Sequence, residues 1–354
     1  MANFNMKTIL LTSVGNDGAQ AVIAALRLSG EAYSLIGVDA SSYAYGLNLV
    51  DTGYVVPLRS NAVKLVYCLK HIIRKHHVDL VLPLSTEDQI FYAHYADFLT
   101  RQTGCVVQHS PEESIRIANN KHSLLLFLRV AGVAVPSFCI VNDRWELESA
   151  LKDFGIDSNP VVIKRKFSTG ASGVKVIIPD QHVCNRIFDR DNIRVPYKDM
   201  LFWLAQEQEN IFPLQVSEFL PDARYSVDIF MQNGAAIVAS VRTEDARFYG
   251  ASLRGLTISD EPVQALGIKA AESLGLCGTI NVEIGRDTHG TPKVMEINPR
   301  FPASIDHTVA AGCNMPLWTV QYALGQPRRL CSPRLQVQYF RCWRALCVET
   351  GHCK

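Results

Sequence analysis

The stretch Val294–Arg300, VMEINPR, sets a carboxylate (Glu296), an amide (Asn298) and a guanidinium (Arg300) at alternate positions after an apolar lead-in. In a strand, alternate side chains share a face, so the three polar heads point the same way. Together they suit a divalent cation and a phosphate held side by side. Upstream, TINVEIG carries Glu283 on another apolar strand, and Asp287–Gly290 reads as the turn between the two. Antiparallel pairing across that turn brings Glu283 beside Glu296. Like charges facing each other repel. A cation between them removes the conflict, and Mg²⁺ takes such oxygen ligands while sharing them with nucleotide phosphates.

Two stretches upstream supply what a phosphate and a base would need. In IKRKFSTGASGVKV, Lys164 closes an apolar strand, and the small residues Ser168, Thr169, Gly170, Ala171, Ser172 and Gly173 form a loop before a second strand. Small side chains let backbone N–H groups approach phosphate oxygens, and a lysine adds charge. The pattern is not a Walker loop, because the residue order differs and a strand follows in place of a helix. In QVSEFLPDARYSVD, Glu218, Phe219 and Leu220 sit between short apolar segments. Such a hinge offers an apolar slot with backbone donors and acceptors, which adenine requires.

Taken in order, these pieces resemble the ATP-grasp superfamily, in the branch of carbamoyl phosphate synthetase large-subunit halves and carboxylate–amine ligases. The resemblance covers about residues 6–325. TILLTSVG, DTGYVVP and VDLVLPLSTED look like that branch's N-terminal domain, NNKHSLLLFLRVAGVAVPSF like its entry helix and strand, and MEINPRF like its metal strand. The resemblance implies that Lys121 and Lys164 contact ATP phosphates, with Lys164 and Arg300 in the catalytic centre. It implies that residues 168–173 close over the phosphates, that Glu218, Phe219 and Leu220 hold adenine, and that Glu283, Glu296 and Asn298 bind Mg²⁺ or Mn²⁺. Arg224 stands where the family places a ribose-binding acid, which leaves Asp228 either to take that role or to be structural. Arg242 and Arg254 lie on segments that line the acceptor cleft in similar enzymes, where either could pair with a substrate carboxylate. Glu87 follows a strand end, where open α/β sheets place ligand contacts.

The chain's 354 residues call for two or three domains. KTILLTSV, YSLIGVDA and VDLVLPL read as buried strands, separated by the amphipathic helices AQAVIAALRLSG and NAVKLVYCLKHIIRKHH. This order predicts a doubly wound parallel sheet over residues 1–115. Residues 116–330 are expected to form an ATP-grasp domain of two subdomains, with a lid at about 134–216, so the fold class combines α/β and α+β. The polar run 181–212 reads as a connection, RYSVDIFMQNGAAIVASV as a hairpin turning at Asn233-Gly234, and LQVQYFRCWRALCV, within the tail 331–354, as a strand.

Net charge +1 gives no reason to expect nucleic acid or an anionic membrane as partner. No run approaches the roughly 18 apolar residues of a spanning helix, and the N-terminal apolar run reads as a strand and not as a cleavable signal. Ten cysteines without a C-x-x-C pair fit reduced thiols in a cytoplasmic protein. SVGNDGAQAV with Asp39 lacks the spacing of a dinucleotide fingerprint, and no G-x-S-x-G elbow is present. The expected activity is an ATP- and Mg²⁺-dependent ligase that activates a small carboxylic acid, such as an amino acid, for attack by an amine. Its partners would be those small molecules and, as in similar enzymes, a second copy in a homodimer. The alternatives are phosphorylation of bicarbonate or another small acid, and a non-catalytic ATP-binding module.

Overall fold

The computed structural model describes residues 6–166, 173–180, 193–206, 211–221, 224–248, 251–342 and 345–348. Its first sheet holds β1 (Lys7–Thr12), β2 (Tyr33–Asp39), β3 (Thr52–Val55), β4 (Leu80–Leu82) and β5 (Val106–Val107). All neighbours run parallel, in the order β3-β2-β1-β4-β5. Ile9, Leu11 and Leu35 pack on helix α1 (Ala19–Arg27) on one face. Leu10, Ile36 and Val38 pack on α2 (Ala62–Lys75) and α3 (Thr86–Thr103) on the other. Burial on both faces is why these strands read as unbroken apolar runs. The strand order reverses at β1/β4, so the turn after β1 and the start of α3 flank the crevice where such sheets bind ligands.

Helices α4 (Glu112–Asn119) and α5 (Lys121–Val130) lead into the second sheet. Asn120 caps α5, its Oδ1 accepting from the His122 and Ser123 N–H groups at 3.2 Å. The second sheet contains β6 (Phe138–Val141), β7 (Val161–Arg165), β8 (Val174–Ile178), β9 (Arg194–Pro196) and β10 (Leu214–Glu218), in the order β6-β10-β7-β8-β9. Helices α6 (Arg144–Asp153) and α7 (Tyr197–Gln206) cover one face through Leu147, Leu151 and Met200.

The third sheet is antiparallel. It holds β11 (Arg224–Gln232), β12 (Ala235–Thr243), β13 (Ala246–Phe248), β14 (Ala251–Ile258), β15 (Gly278–Arg286) and β16 (Pro292–Asn298), with β17 (Gln338–Phe340) paired to β14. Both residues of the Asn233-Gly234 turn have positive φ, 51° and 81°, as its two-residue hairpin requires. Odd-numbered β11 residues Val227, Ile229 and Met231 pack on α5 and α8 (Glu261–Ser273). On the opposite face Phe230 joins Trp318 of α10 (Met315–Ala323) and the Ile9/Leu11 side of the first sheet in one core. That shared core, with α9 (Ile305–Ala310) between them, holds the ligand edge of the first sheet over the polar end of the third.

Three expectations change. The run 181–212 is more than a connection, since β9 and α7 lie in it. Among the described residues the tail strand covers Gln338–Phe340, paired with Arg254–Leu256 of β14. β3 and β5 add to the three strands read from the sequence; at four and two residues they are too short to show a period. Among the described residues, no helix is long and apolar enough to cross a membrane.

Candidate active site

The register of β15 and β16 sets Glu283 opposite Glu296 and Asn281 opposite Asn298. A bulge at Met295 interrupts the alternation within VMEINPR, so Val294 and Ile297 both enter the core while Glu296 and Asn298 share the other face. Two cations hold the opposed carboxylates. Lys121 Nζ lies 3.0 Å from Glu296 Oε2, and Arg247 Nη2 lies 3.0 Å from Glu283 Oε1. Arg247 also reaches Glu244 at 2.9 Å. Burial works against the Glu283 charge, but Arg247 and Arg224 outweigh it and keep its carboxyl below the ordinary range. Asn298 Nδ2 donates to Asn281 Oδ1 at 3.4 Å. Among the described residues no three His, Cys, Asp or Glu side chains form a metal group. The donor set here is two carboxylates and an amide, all oxygen, of the kind Mg²⁺ prefers.

Lys121 opens α5, and its N–H donates to Lys166 O at 3.2 Å, which ties the helix start to the end of β7. Its side chain is 9% exposed. Lys164 stands on β7 among the charges of Lys121, Glu296, Arg224 and Glu283. Burial first, and then the Lys121 charge, pull its amine down to about 8. Gly173, with φ 74°, accepts from Arg165 N–H at 2.9 Å and closes the β7–β8 hairpin where a side chain would be strained. Ser168, Thr169, Gly170, Ala171 and Ser172, read as the phosphate loop, lie outside the described residues.

Arg300 links the acidic strand face to the first sheet. Its Nε donates to Thr86 Oγ1 at 3.1 Å, in the first turn of α3, and its Nη1 to Phe301 O at 2.8 Å. Burial lowers its pKa against the pull of Glu296, Glu283, Glu87 and Asp17. Glu87 is exposed, next to Thr86, and Asp17 is exposed in the turn after β1. Both acids sit at the sheet's switch point, facing the guanidinium.

The family model described as ATP-grasp in the biosynthetic pathway with Ter operon matches residues 211–341. A search of curated proteins gives no match. Among solved structures, N5-carboxyaminoimidazole synthetase from Staphylococcus aureus, complexed with ADP, is similar at 15% identity and TM-score 0.68, over 93% of this chain and 80% of that one. The biotin carboxylase domain of Hydrogenobacter thermophilus 2-oxoglutarate carboxylase, with MgADP, ADP and bicarbonate, gives 17% and 0.67, over 94% and 73%. L-amino acid ligase from Bacillus licheniformis gives 16% and 0.63, over 90% and 74%. The chain has the ATP-grasp fold.

In this ATP-grasp fold the remaining candidates divide. Phe219 packs with Val162, Val176 and Ile178, and Leu220 packs on Gly285, where an added Cβ would lie 2.8 Å from Leu220 Cδ1. The Glu218 carboxylate is ion-paired to Lys293, which also reaches Asp287 at 3.1 Å, so its side chain pins β10 to the third sheet. The expected ribose role of Asp228 gives way to a structural one. It is 0% exposed and bonded by Arg242, by Asn281 at 2.8 Å and by Thr308 of α9. Arg242 is corrected with it. At 1% exposure it bonds Asp228 at 3.3 Å and Glu244 at 3.1 Å, which leaves its guanidinium engaged by protein carboxylates. Arg254 stays at the rim, 58% exposed and 3.8 Å from Asp245. Arg247, Asp17 and the counter-charge of Arg224 were missed, because none sits in a recognisable motif and Arg247 reaches Glu283 only across the sheet.

Proposed function

We propose that this ATP-grasp chain is an ATP- and Mg²⁺-dependent ligase that converts a small carboxylic acid to an acyl phosphate and passes the acyl group to an amine. The observation that carries the reading is Glu283 set opposite Glu296, with Lys121 ion-paired to Glu296 and the charges of Lys164 and Arg300 close to both carboxylates. The similar structures complexed with ADP and with MgADP support ATP and Mg²⁺ as the cofactors.

The residues fit both groups. Glu283, Glu296 and Asn298 would hold Mg²⁺, releasing Lys121 and Arg247 from their present carboxylate partners. Bound between these residues, Mg²⁺ would supply positive charge to offset that of the polyphosphate. Lys121 and Lys164 would grip the polyphosphate as cations, and the slot at Phe219 and Leu220 would take the base. Arg300, already desolvated, would face the transferred group and the substrate carboxylate, where a guanidinium can bind two oxygens at once. Glu87 and Asp17, beside Arg300, would attract a cationic amine or the ammonium of an amino acid. Binding and positioning thus make up most of the catalysis.

The test is ADP release from MgATP with pooled amino acids and small carboxylic acids, with hydroxylamine in a parallel reaction. Acid-dependent ADP and a hydroxamate are the expected result. Stimulation by bicarbonate alone, the anion in the biotin carboxylase relative's complex, would replace the amide reading with small-acid phosphorylation. Bound ATP without turnover on any acid would point to a binding module.

A further inference from the structure

Gln215 stands out on β10. It is 0% exposed, and neither its Oε1 nor its Nε2 has a hydrogen-bond partner among the described residues. Buried amides are almost always paired, because water is lost and nothing replaces it. Its direction follows from register. Leu214 and Val216 face the α6/α7 core, so Gln215, Ser217 and Phe219 face the other way. On that face Gln215 lies directly opposite Lys164, and Ser217 opposite Val162, which packs in an apolar cluster with Val176, Ile178 and Phe219. The unpaired amide therefore borders both that cluster and the lysine, on the strand that ends at Glu218.

We propose, resting on the ATP reading above, that Gln215 reads the edge of the adenine base. A carboxamide presents a donor and an acceptor side by side. Adenine presents the complement along its N7/N6 edge, an acceptor next to a donor, whereas a 6-oxo purine presents two acceptors there. Gln215 then donates to N7 and accepts from N6, and its orphaned groups become satisfied when the nucleotide enters. The residue sets the preference for adenine over guanine or hypoxanthine, and it has no part in the chemical step. A phosphate would meet only the donor half of the amide, and an apolar group would meet neither.

The experiment compares MgATP, Mg-7-deaza-ATP and MgITP binding to wild type and to Gln215→Leu, with the nucleotide-free melting temperature of both. An adenine pair of this kind contributes a roughly 5- to 150-fold effect. Gln215→Leu is expected to lose that much ATP affinity. It should change 7-deaza-ATP binding far less, because N7 is absent, and narrow the ATP-over-ITP preference. The free variant should melt at the same or a higher temperature, since a buried unpaired amide has been replaced by an apolar side chain of similar size. Equal losses for ATP and 7-deaza-ATP, no loss for either, or a lower melting temperature with unchanged nucleotide preference would overturn the role of Gln215. Wild type that binds none of the three would overturn the ATP reading itself.

Discussion

ATP binding at pH 8 should draw a proton onto the protein, and Lys164 is the group that takes it. Burial and the Lys121 charge lower its amine from 10.5 to about 8, against Glu296 and Glu283. A fall of that size disfavours the charged amine by about 3 kcal/mol. Because the folded value is the lower one, the unfolded chain holds more protons between pH 8 and 10.5. This group therefore costs the free protein stability below pH 8, and the cost fades as pH rises through that window. A polyphosphate beside Lys164 reverses the balance, since opposite charge favours the ammonium. At pH 8 the free amine is about half protonated and the bound one nearly fully, so binding takes up roughly half a proton. Above that pH, ATP affinity should fall by up to about tenfold per unit. Calorimetric titration of MgATP in buffers of different ionisation enthalpy measures the uptake. Lys164→Arg keeps its proton throughout and should abolish both the uptake and the pH dependence. Equal uptake in wild type and Lys164→Arg, or none in either while ATP binds, would refute the reasoning.

Glu296→Ala removes one of the two opposed carboxylates and should cost several kcal/mol of transition-state stabilisation, roughly a thousandfold in ADP formation, with a cooperative melt retained. Near-normal turnover would sink the metal assignment. Arg242→Met strands buried Asp228 without its cation, while Glu244 keeps Arg247, and should destabilise the fold by about 3 to 5 kcal/mol in urea titration. A variant of normal stability with a raised KM for the acid would return Arg242 to the substrate cleft. Glu87→Gln should lower kcat/KM for the amine roughly tenfold while leaving ATP affinity unchanged, as expected for loss of one charge-assisted hydrogen bond. A change in ATP affinity alone would place Glu87 elsewhere.

The pairing of Glu283 with Glu296 was legible because a short turn joins two apolar strands, whereas the bulge at Met295 that breaks the two-residue period was not. The Asn233-Gly234 turn was legible for a similar reason: its chemistry is local. Arg242 was misread because its spacing places it on the site face, opposite Ser226, and a sequence does not show that Thr308 and His307 of α9 close over that part of the sheet. Arg247 belongs to a three-residue strand, and its partner Glu283 lies far along the chain. Gln215 looked like one polar residue in a strand. Its meaning depends on burial and on Lys164 across the sheet, neither of which a period reveals.

The central claim is that a carboxylate oxygen attacks the γ-phosphate. The most direct measurement supplies carboxylic acids labelled with ¹⁸O in the carboxyl group and follows the label by mass spectrometry during turnover with MgATP and an amine. One ¹⁸O should appear in each phosphate released, with ADP as the other product. Phosphate without label, or label carried into AMP, would contradict acyl-phosphate formation at Arg300.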